Sequence, residues 1–181
     1  LVRDNKRLTA ELQEWNAKLE TRVREQTEEI RRRNKALLFL NEQLKKNFKS
    51  TLEAFAGLIE MRDARLSNHA RNVASLAVKI AGALKAPDKE RDTIEAAALL
   101  HDIGKIGVPD AILAKPFKDL SAEERRQLEQ HPVRGQSAVE PIEALRDAGV
   151  LIRHHHEWYN GNGYPDRLRF DDIPLGARII A

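Results

Sequence analysis

Apolar residues recur every three or four positions along the first sixty residues, separated by charged ones, with no proline and no glycine before Gly57. Leu8, Leu12, Trp15 and Leu19 form one seam; Val23, Ile30, Leu37 and Leu44 continue it at sevens, with Leu40 between the last two. A seam of this kind predicts a coiled-coil helix. The step of four from Leu19 to Val23 is a stutter, which locally unwinds a left-handed supercoil. Gln26, Arg33 and Asn47 occupy the alternate seam positions and weaken the pairing that an all-apolar stripe would give. Residues 1–50 are read as a helical signalling rod that pairs in parallel with a second copy; the plainer alternative is a helix packed on its own domain.

Beyond Ser50 the pattern broadens to Leu52, Phe55, Ala56, Leu58 and Ile59, which predicts burial on more than one side. Ser67 can cap a second helix carrying His69, Val73, Leu76, Ala77 and Ile80 and ending between Gly82 and Pro87, and Asp88 can cap a third through Ile94, Ala97, Ala98 and Leu99. Pro109 starts a short turn of helix. Ser121 and Glu124 make a capping box for another, which His131 closes before Pro132. Two more helices are expected over 135–146 and 150–156. From Glu157 to Asp172 the helical period disappears among glycines, asparagines and acidic residues around Trp158, Tyr159 and Tyr164, so this reads as a long functional loop. Pro174 suits the first turn of a last helix. Ile179, Ile180 and Ala181 end the chain in mid-pattern, from which truncation inside an element is expected. No stretch reads as a strand. The fold class is therefore all-α: a helical domain over residues 51–181 preceded by a coiled-coil helix over residues 1–50.

Composition narrows the chemistry. The 181 residues include no cysteine, so a metal would have to be held by imidazole and carboxylate. No apolar run of eighteen residues and no basic, apolar, small-residue leader is present, so neither a membrane span nor a secretory signal is expected, and the cytoplasm is the default location. Net charge is +3, split as 13 basic against 8 acidic residues over 1–50 and 18 against 20 beyond. Because the acidic residues of the basic half interleave with the basic ones at helical spacing, that half reads as a solvated helix face and no nucleic-acid partner is expected.

The histidines carry the functional reading. A single helical histidine is usually packed or solvated. Here His69, His101, His131 and the run His154–His156 all fall where predicted helices begin or end, one beside Asp102 and three just before the glycine-containing loop. Neutral imidazoles suit first-row metals, and the two oxygens of a carboxylate such as Asp102 can bridge a pair of them. Two metals about 3.5 to 4 Å apart polarise a phosphoryl oxygen and turn water into a nucleophile at neutral pH. Hydrolysis of a phosphate ester is the reaction class that follows.

Four stretches, HDIGKIGVPDAIL from His101, HPVRG from His131, HHEWYNGNGYP from His155 and the IPLGARI that follows, resemble the HD-GYP family of bacterial HD phosphohydrolases. The resemblance implies a helical domain with a dinuclear or trinuclear iron or manganese centre that hydrolyses cyclic di-GMP to pGpG or GMP. Position by position, it implies that His69, His101, Asp102, His131, His155 and His156 are metal ligands and that Lys105 sits beside the substrate phosphate. Gly161, Gly163, Tyr164 and Pro165 match the glycine-rich loop, whose glycines allow positive φ and which the family associates with docking to diguanylate cyclase domains. His154 has no ligand role in the pattern and is expected to face solvent or a neighbouring helix. Residues 1–50 resemble the connector that joins such domains to an upstream receiver.

Several positions depart from the pattern. Arg65 stands where trinuclear members carry a glutamate ligand, which favours two metals. Asn72 replaces the expected arginine, with Arg71 one place earlier, and Asn160 replaces an aspartate. A further ligand aspartate is expected beyond Ala181. Three readings stay open: a cyclic di-GMP phosphodiesterase, a signalling module that keeps the fold without turnover, and a hydrolase of another cyclic dinucleotide or alarmone.

Overall fold

The structure is a computed structural model that describes residues 2–62 and 68–181. The chain divides into two compact units, Leu1–Phe48 and Lys49–Ala181. The helix α1 (Val2–Glu60) accounts for all the described residues of the first unit. There the seam residues Leu8, Leu12, Trp15, Leu19, Val23, Ile30, Leu37 and Leu44 are each more than half exposed. Backbone hydrogen bonding and pairs at i, i+4 spacing such as Glu14–Lys18 and Glu29–Arg33 support the helix locally. Burial does not.

In the second unit the apolar residues of α1 are buried on one side only: Leu52, Ala56 and Ile59 are covered, while Phe55 and Leu58 stay half exposed. The expectation of burial on several sides was too broad. Among the described residues seven further helices follow: α2 (His69–Ala83), α3 (Asp88–Leu100), α4 (Asp110–Leu113), α5 (Ala122–Glu129), α6 (His131–Val139), α7 (Arg146–His154) and α8 (Leu175–Ile180). Short 3-10 turns at Ile103–Gly107, Phe117–Asp119, Glu143–Leu145 and Phe170–Asp172 link several of them. Among the described residues there is no strand, as the all-α reading requires, and no helix is long and apolar enough to cross a membrane.

The core lies where α3, α7 and α8 meet α2. Ile94, Ala97, Ala98, Leu99 and Leu100 of α3 pack with Ala77 and Ala81 of α2, Ile152 of α7 and Ile180 of α8. α3 is buried almost all round at its C-terminal end, which is why its alanines sit together: small side chains let three helices approach it at once. The sequence pattern misplaced several boundaries. α2 turns its alanine face inward, so Leu76 and Ile80 lie outside the core. Asp88 is the first residue of α3, after Pro87 as cap. The capping box at Ser121 and Glu124 is present, with both bonds made. His131 does not close the helix it follows. It opens α6, where Pro132 is tolerated in the first turn because its missing N–H has no helical partner there. The helices expected over 135–146 and 150–156 are correspondingly α6 and α7, broken at Glu140–Leu145. The cap expected at Ser67 and the departure at Arg65 lie outside the described residues.

Candidate metal centre

His101, His131 and His155 share one local device. Each stands at or just past the end of a helix, and each places Nδ1 against the backbone carbonyl three residues back: Ala98 O at 2.8 Å, Leu128 O at 2.8 Å and Ile152 O at 2.6 Å. Carbonyls in the last turn of a helix have no intrahelical N–H left to bind, so the imidazole supplies one. A carbonyl can only accept; Nδ1 must therefore donate, and in the neutral ring Nε2 is left as a free lone pair. This second-site hydrogen bond is the one that usually orients metal-binding histidines.

Two of these three nitrogens face Asp102. Its Oδ2 lies 3.5 Å from His101 Nε2 and its Oδ1 lies 3.5 Å from His131 Nε2, so the two oxygens face different histidines. The donor atoms form two groups, His69–His101–Asp102 and His131–His155–His156, within each of which the atoms lie no more than 4.8 Å apart. His131 Nε2 and His155 Nε2 are 3.4 Å apart. With both Nδ1 atoms donating elsewhere, two acceptors face each other with no proton between them. A cation that both nitrogens can ligate relieves such a pair, and the donor set of imidazoles and one carboxylate fits a divalent first-row metal.

The electrostatics agree with that fit. Burial pushes His131 down to about 4, aided by the charge of His155 and opposed by Asp102. Burial likewise takes His155 to about 3, with His156 beside it, and His156 to about 3, with His131 beside it. These rings are neutral at pH 7 and need lose no proton to bind a metal. Burial alone would raise Asp102, but His101, Lys105 and His131 together outweigh it and hold the carboxyl well below the usual range. Lys105 Nζ donates to Asp102 Oδ2 at 2.7 Å. The lysine expected beside a phosphate is thus also the partner of the aspartate.

Gly104 explains how two segments about thirty residues apart in sequence come together. A Cβ there would lie 1.9 Å from His131 O and 2.7 Å from Gly135 N. Only a residue without a side chain lets the turn after Asp102 lie directly on the first turn of α6, which carries His131.

The glycine-rich loop closes over the same region. Tyr164 stacks on His156, ring centroids 4.8 Å apart at 26°, and its backbone N–H donates to His156 O at 3.2 Å. Gly161 has the left-handed backbone expected, φ +79. Gly163 does not: it is needed because a Cβ would meet Trp158 N at 2.3 Å and His156 O at 2.5 Å. His154 stands apart from the metal donors. Partly buried, it binds Asp166 Oδ2 at 2.9 Å, alongside a two-pronged ion pair from Arg153 at 2.5 and 2.6 Å. Glu157, which sequence reasoning passed over, is buried and accepts from the N–H groups of Asp166 (2.6 Å) and Leu168 (3.1 Å). Its signal was its position: an acid ahead of a long loop whose buried N–H groups require acceptors. Asn72 and Arg71 are on α2, where Arg71 donates to Asn68 Oδ1.

Beside the centre is a cleft of about 480 Å³ whose lining includes His131, His156 and Tyr164, the cations Arg62, Lys105 and Lys115, and the rings of Phe117 and Trp158. Cations with apolar and aromatic walls suit a ligand that has both phosphates and planar bases.

Comparison with known proteins agrees with this arrangement. Residues 53–181 match the family model described as HD domain. The chain is 35% identical to a probable cyclic di-GMP phosphodiesterase of Vibrio cholerae, over 98% of this chain and 40% of that protein. It is 36% identical to the cyclic di-GMP phosphodiesterase response regulator RpfG of Xanthomonas campestris, over 88% of this chain and 43% of that one. It therefore spans about two fifths of the length of these curated relatives. Among solved structures it is similar in fold to Bd1817, a HDG"Y"P protein of Bdellovibrio bacteriovorus, with a TM-score of 0.57 at 24% identity over 75% of this chain and 49% of that chain. Taken with the HDIGK, HHE and GYP stretches, the match over residues 53–181 means that this chain belongs to the HD domain family, in its HD-GYP branch.

Proposed function

We propose that residues 49–181 form the metal-dependent phosphodiesterase part of a larger protein and hydrolyse cyclic di-GMP to pGpG and GMP. The observation that carries this reading is Asp102, a buried carboxylate whose two oxygens face two separate groups of metal donors beside a cationic, aromatic cleft. His69, His101 and Asp102 would hold one ion and His131, His155 and His156 the other, iron or manganese. Bound there, two such ions supply Lewis acidity toward the phosphoryl oxygen and lower the pKa of water.

The chain's own residues do the rest. Asp102 orients its oxygens between the two groups, and the three carbonyl-anchored imidazoles keep their lone pairs aimed inward without a conformational search. Lys105, on the wall of the cleft, places a positive charge where a phosphate gathers negative charge in the transition state. Trp158 and Phe117 offer surfaces for guanine bases, and Arg62 and Lys115 add positive potential along the cleft. In the reaction the oxygen of water joins phosphorus, the bond from phosphorus to the 3′ oxygen opens, and that oxygen takes up the proton.

The same reading assigns the exposed seam of residues 1–50 to a parallel homodimer, the glycine-rich loop to docking of diguanylate cyclase domains, and the whole to a cytoplasmic two-component protein with an upstream receiver. The deciding experiment is turnover of cyclic di-GMP by manganese- or iron-loaded protein, read as pGpG and GMP by chromatography, with Asp102→Asn as the inactive control. Protein that holds two metals per chain yet leaves cyclic di-GMP intact would refute the substrate. Cleavage of a different cyclic dinucleotide under those conditions would transfer the reading to that ligand.

A further inference from the structure

The last turn of α1 leads into two charged side chains, Glu60 and Arg62, whose hydrogen bonds reach the segments that carry His69, His101 and Asp102. Glu60 accepts from Asn68 N at 3.0 Å and from Ala70 N at 2.7 Å. α2 begins at His69, and Asn68 at its cap position makes no side-chain capping bond. Orphan N–H groups of the first turn are thus taken by a carboxylate from a different helix, at the end where the helix dipole favours an anion.

Arg62 works at the opposite kind of terminus. Nε donates to Asp110 Oδ1 at 3.1 Å, Nη1 to the carbonyls of Lys105 (3.0 Å) and Ile106 (2.9 Å), and Nη2 to the carbonyl of Val108 (2.8 Å) and to Asp110 Oδ1 (2.5 Å). These carbonyls lie in and just after the 3-10 turn Ile103–Gly107, and Lys105 O also accepts from Val108 N at 3.0 Å where the turn ends. A guanidinium has five N–H donors, and Arg62 makes five hydrogen bonds to four acceptor atoms, Asp110 Oδ1 accepting from both Nε and Nη2. Although Arg62 lines the cleft, its hydrogen-bonding capacity is committed to three backbone carbonyls in and after the turn and to the Asp110 carboxylate.

We propose that Glu60 and Arg62 are positioning residues for the His69–His101–Asp102 group: Glu60 fixes the turn of α2 that presents His69, and Arg62 fixes the turn that follows Asp102 and carries Lys105. The inference rests on the metal reading for what the group holds, and on the hydrogen bonds alone for how the group is held. It separates the two donor groups, because His131, His155 and His156 are borne by α6 and by the end of α7, to which neither clamp residue is tied by these bonds.

The test uses Glu60→Gln and Arg62→Lys in the full chain. Arg62→Lys keeps the charge and loses the planar fork, so a purely electrostatic role would survive it. Each variant should bind one manganese as tightly as the parent, while affinity for the other falls about 10- to 100-fold, the usual cost of losing an outer-shell partner. The manganese resonance spectrum should change from that of a coupled pair to the six lines of an isolated ion. Two ions held with parental affinity and a coupled spectrum would overturn the proposal. A second measurement is independent of metal: in metal-free protein, amides 68–71 in Glu60→Gln and amides 103–108 in Arg62→Lys should exchange about tenfold faster, as expected when a charge-assisted hydrogen bond is lost, with amides 133–139 unchanged. Exchange at the parental rate would overturn the clamp. Asp110→Ala, which removes one exposed acceptor, is the milder variant should Arg62→Lys not fold, and it should speed the same amides by less. A parent chain that takes up no metal would sink the metal reading, and the exchange rates would still decide the clamp.

Discussion

Replacing Gly104 by alanine tests whether the approach of two backbones builds the centre. The added Cβ would stand 1.9 Å from His131 O and 2.8 Å from His131 C. Restoring ordinary contact requires the turn after Asp102 and the start of α6 to part by roughly 1.5 Å. Both neighbours are backbone, one of them in a helix, so neither can swing aside as a side chain would. Overpacking of this kind costs about 1 to 3 kcal/mol. The larger effect should fall on metal binding: ligand distances must hold within about 0.2 Å, and the shift acts along the line that brings Asp102 to His131. Gly107→Ala is the matched control in the same motif, since its Cβ would meet only the side chain of Arg134 at 3.3 Å. Urea unfolding of both metal-free variants, followed by metal analysis after reconstitution, separates the outcomes. Gly104→Ala should lose stability and at least one ion per chain, while Gly107→Ala should stay within about 1 kcal/mol of the parent. A Gly104→Ala protein with parental midpoint and parental metal content would refute the reasoning.

The remaining predictions address charge, loop and seam. Metal-free protein should lose stability on acidification. His131, His155 and His156 stay neutral in the fold down to about 4, 3 and 3, whereas each unfolded imidazole binds a proton near 6.5. Below that value the unfolded chain holds more protons, so stability is full above it and is lost as pH falls, by about 2 kcal/mol per ring between pH 7 and pH 5. A urea midpoint equal at the two pH values in the presence of chelator would contradict the buried, neutral state. Glu157→Ala should leave the N–H groups of Asp166 and Leu168 without their acceptor and cost about 1 to 3 kcal/mol; hydrogen exchange confined to the parental rate over residues 158–170 would count against that anchoring role. Ile30→Asn with Leu37→Asn should convert the proposed dimer to a monomer by light scattering, and an unchanged mass would move the interface away from the seam.

Much of this protein can be read without coordinates. Periodicity alone predicts a helix through the first sixty residues and an all-α remainder, because a repeat of three and four is a local property of the chain. The capping box at Ser121 and Glu124 is legible for the same reason: its bonds close within four residues. The motif histidines and Asp102 are legible as a chemical set, because imidazoles clustered at helix ends beside a carboxylate have few other uses.

What was not legible is what depends on distance in space. The face that α2 turns inward is chosen by the neighbours of its alanines, so hydrophobicity alone does not tell that Leu76 and Ile80 lie outside. His131 was placed at the end of one helix instead of the start of the next, since a proline marks a boundary without saying on which side of it the chain resumes its turn. Glu60, Arg62, Glu157 and Asp166 look like ordinary surface charges in sequence. Their partners are backbone N–H and carbonyl groups or side chains eight to forty-eight residues away, and every residue type carries such backbone groups. Sequence determined which atoms could bind a metal. Only the packing of α3, α6 and α7, with Gly104 at the contact, decided that Asp102 stands between two groups of them, because a carboxylate can serve both only where two backbones are allowed to touch.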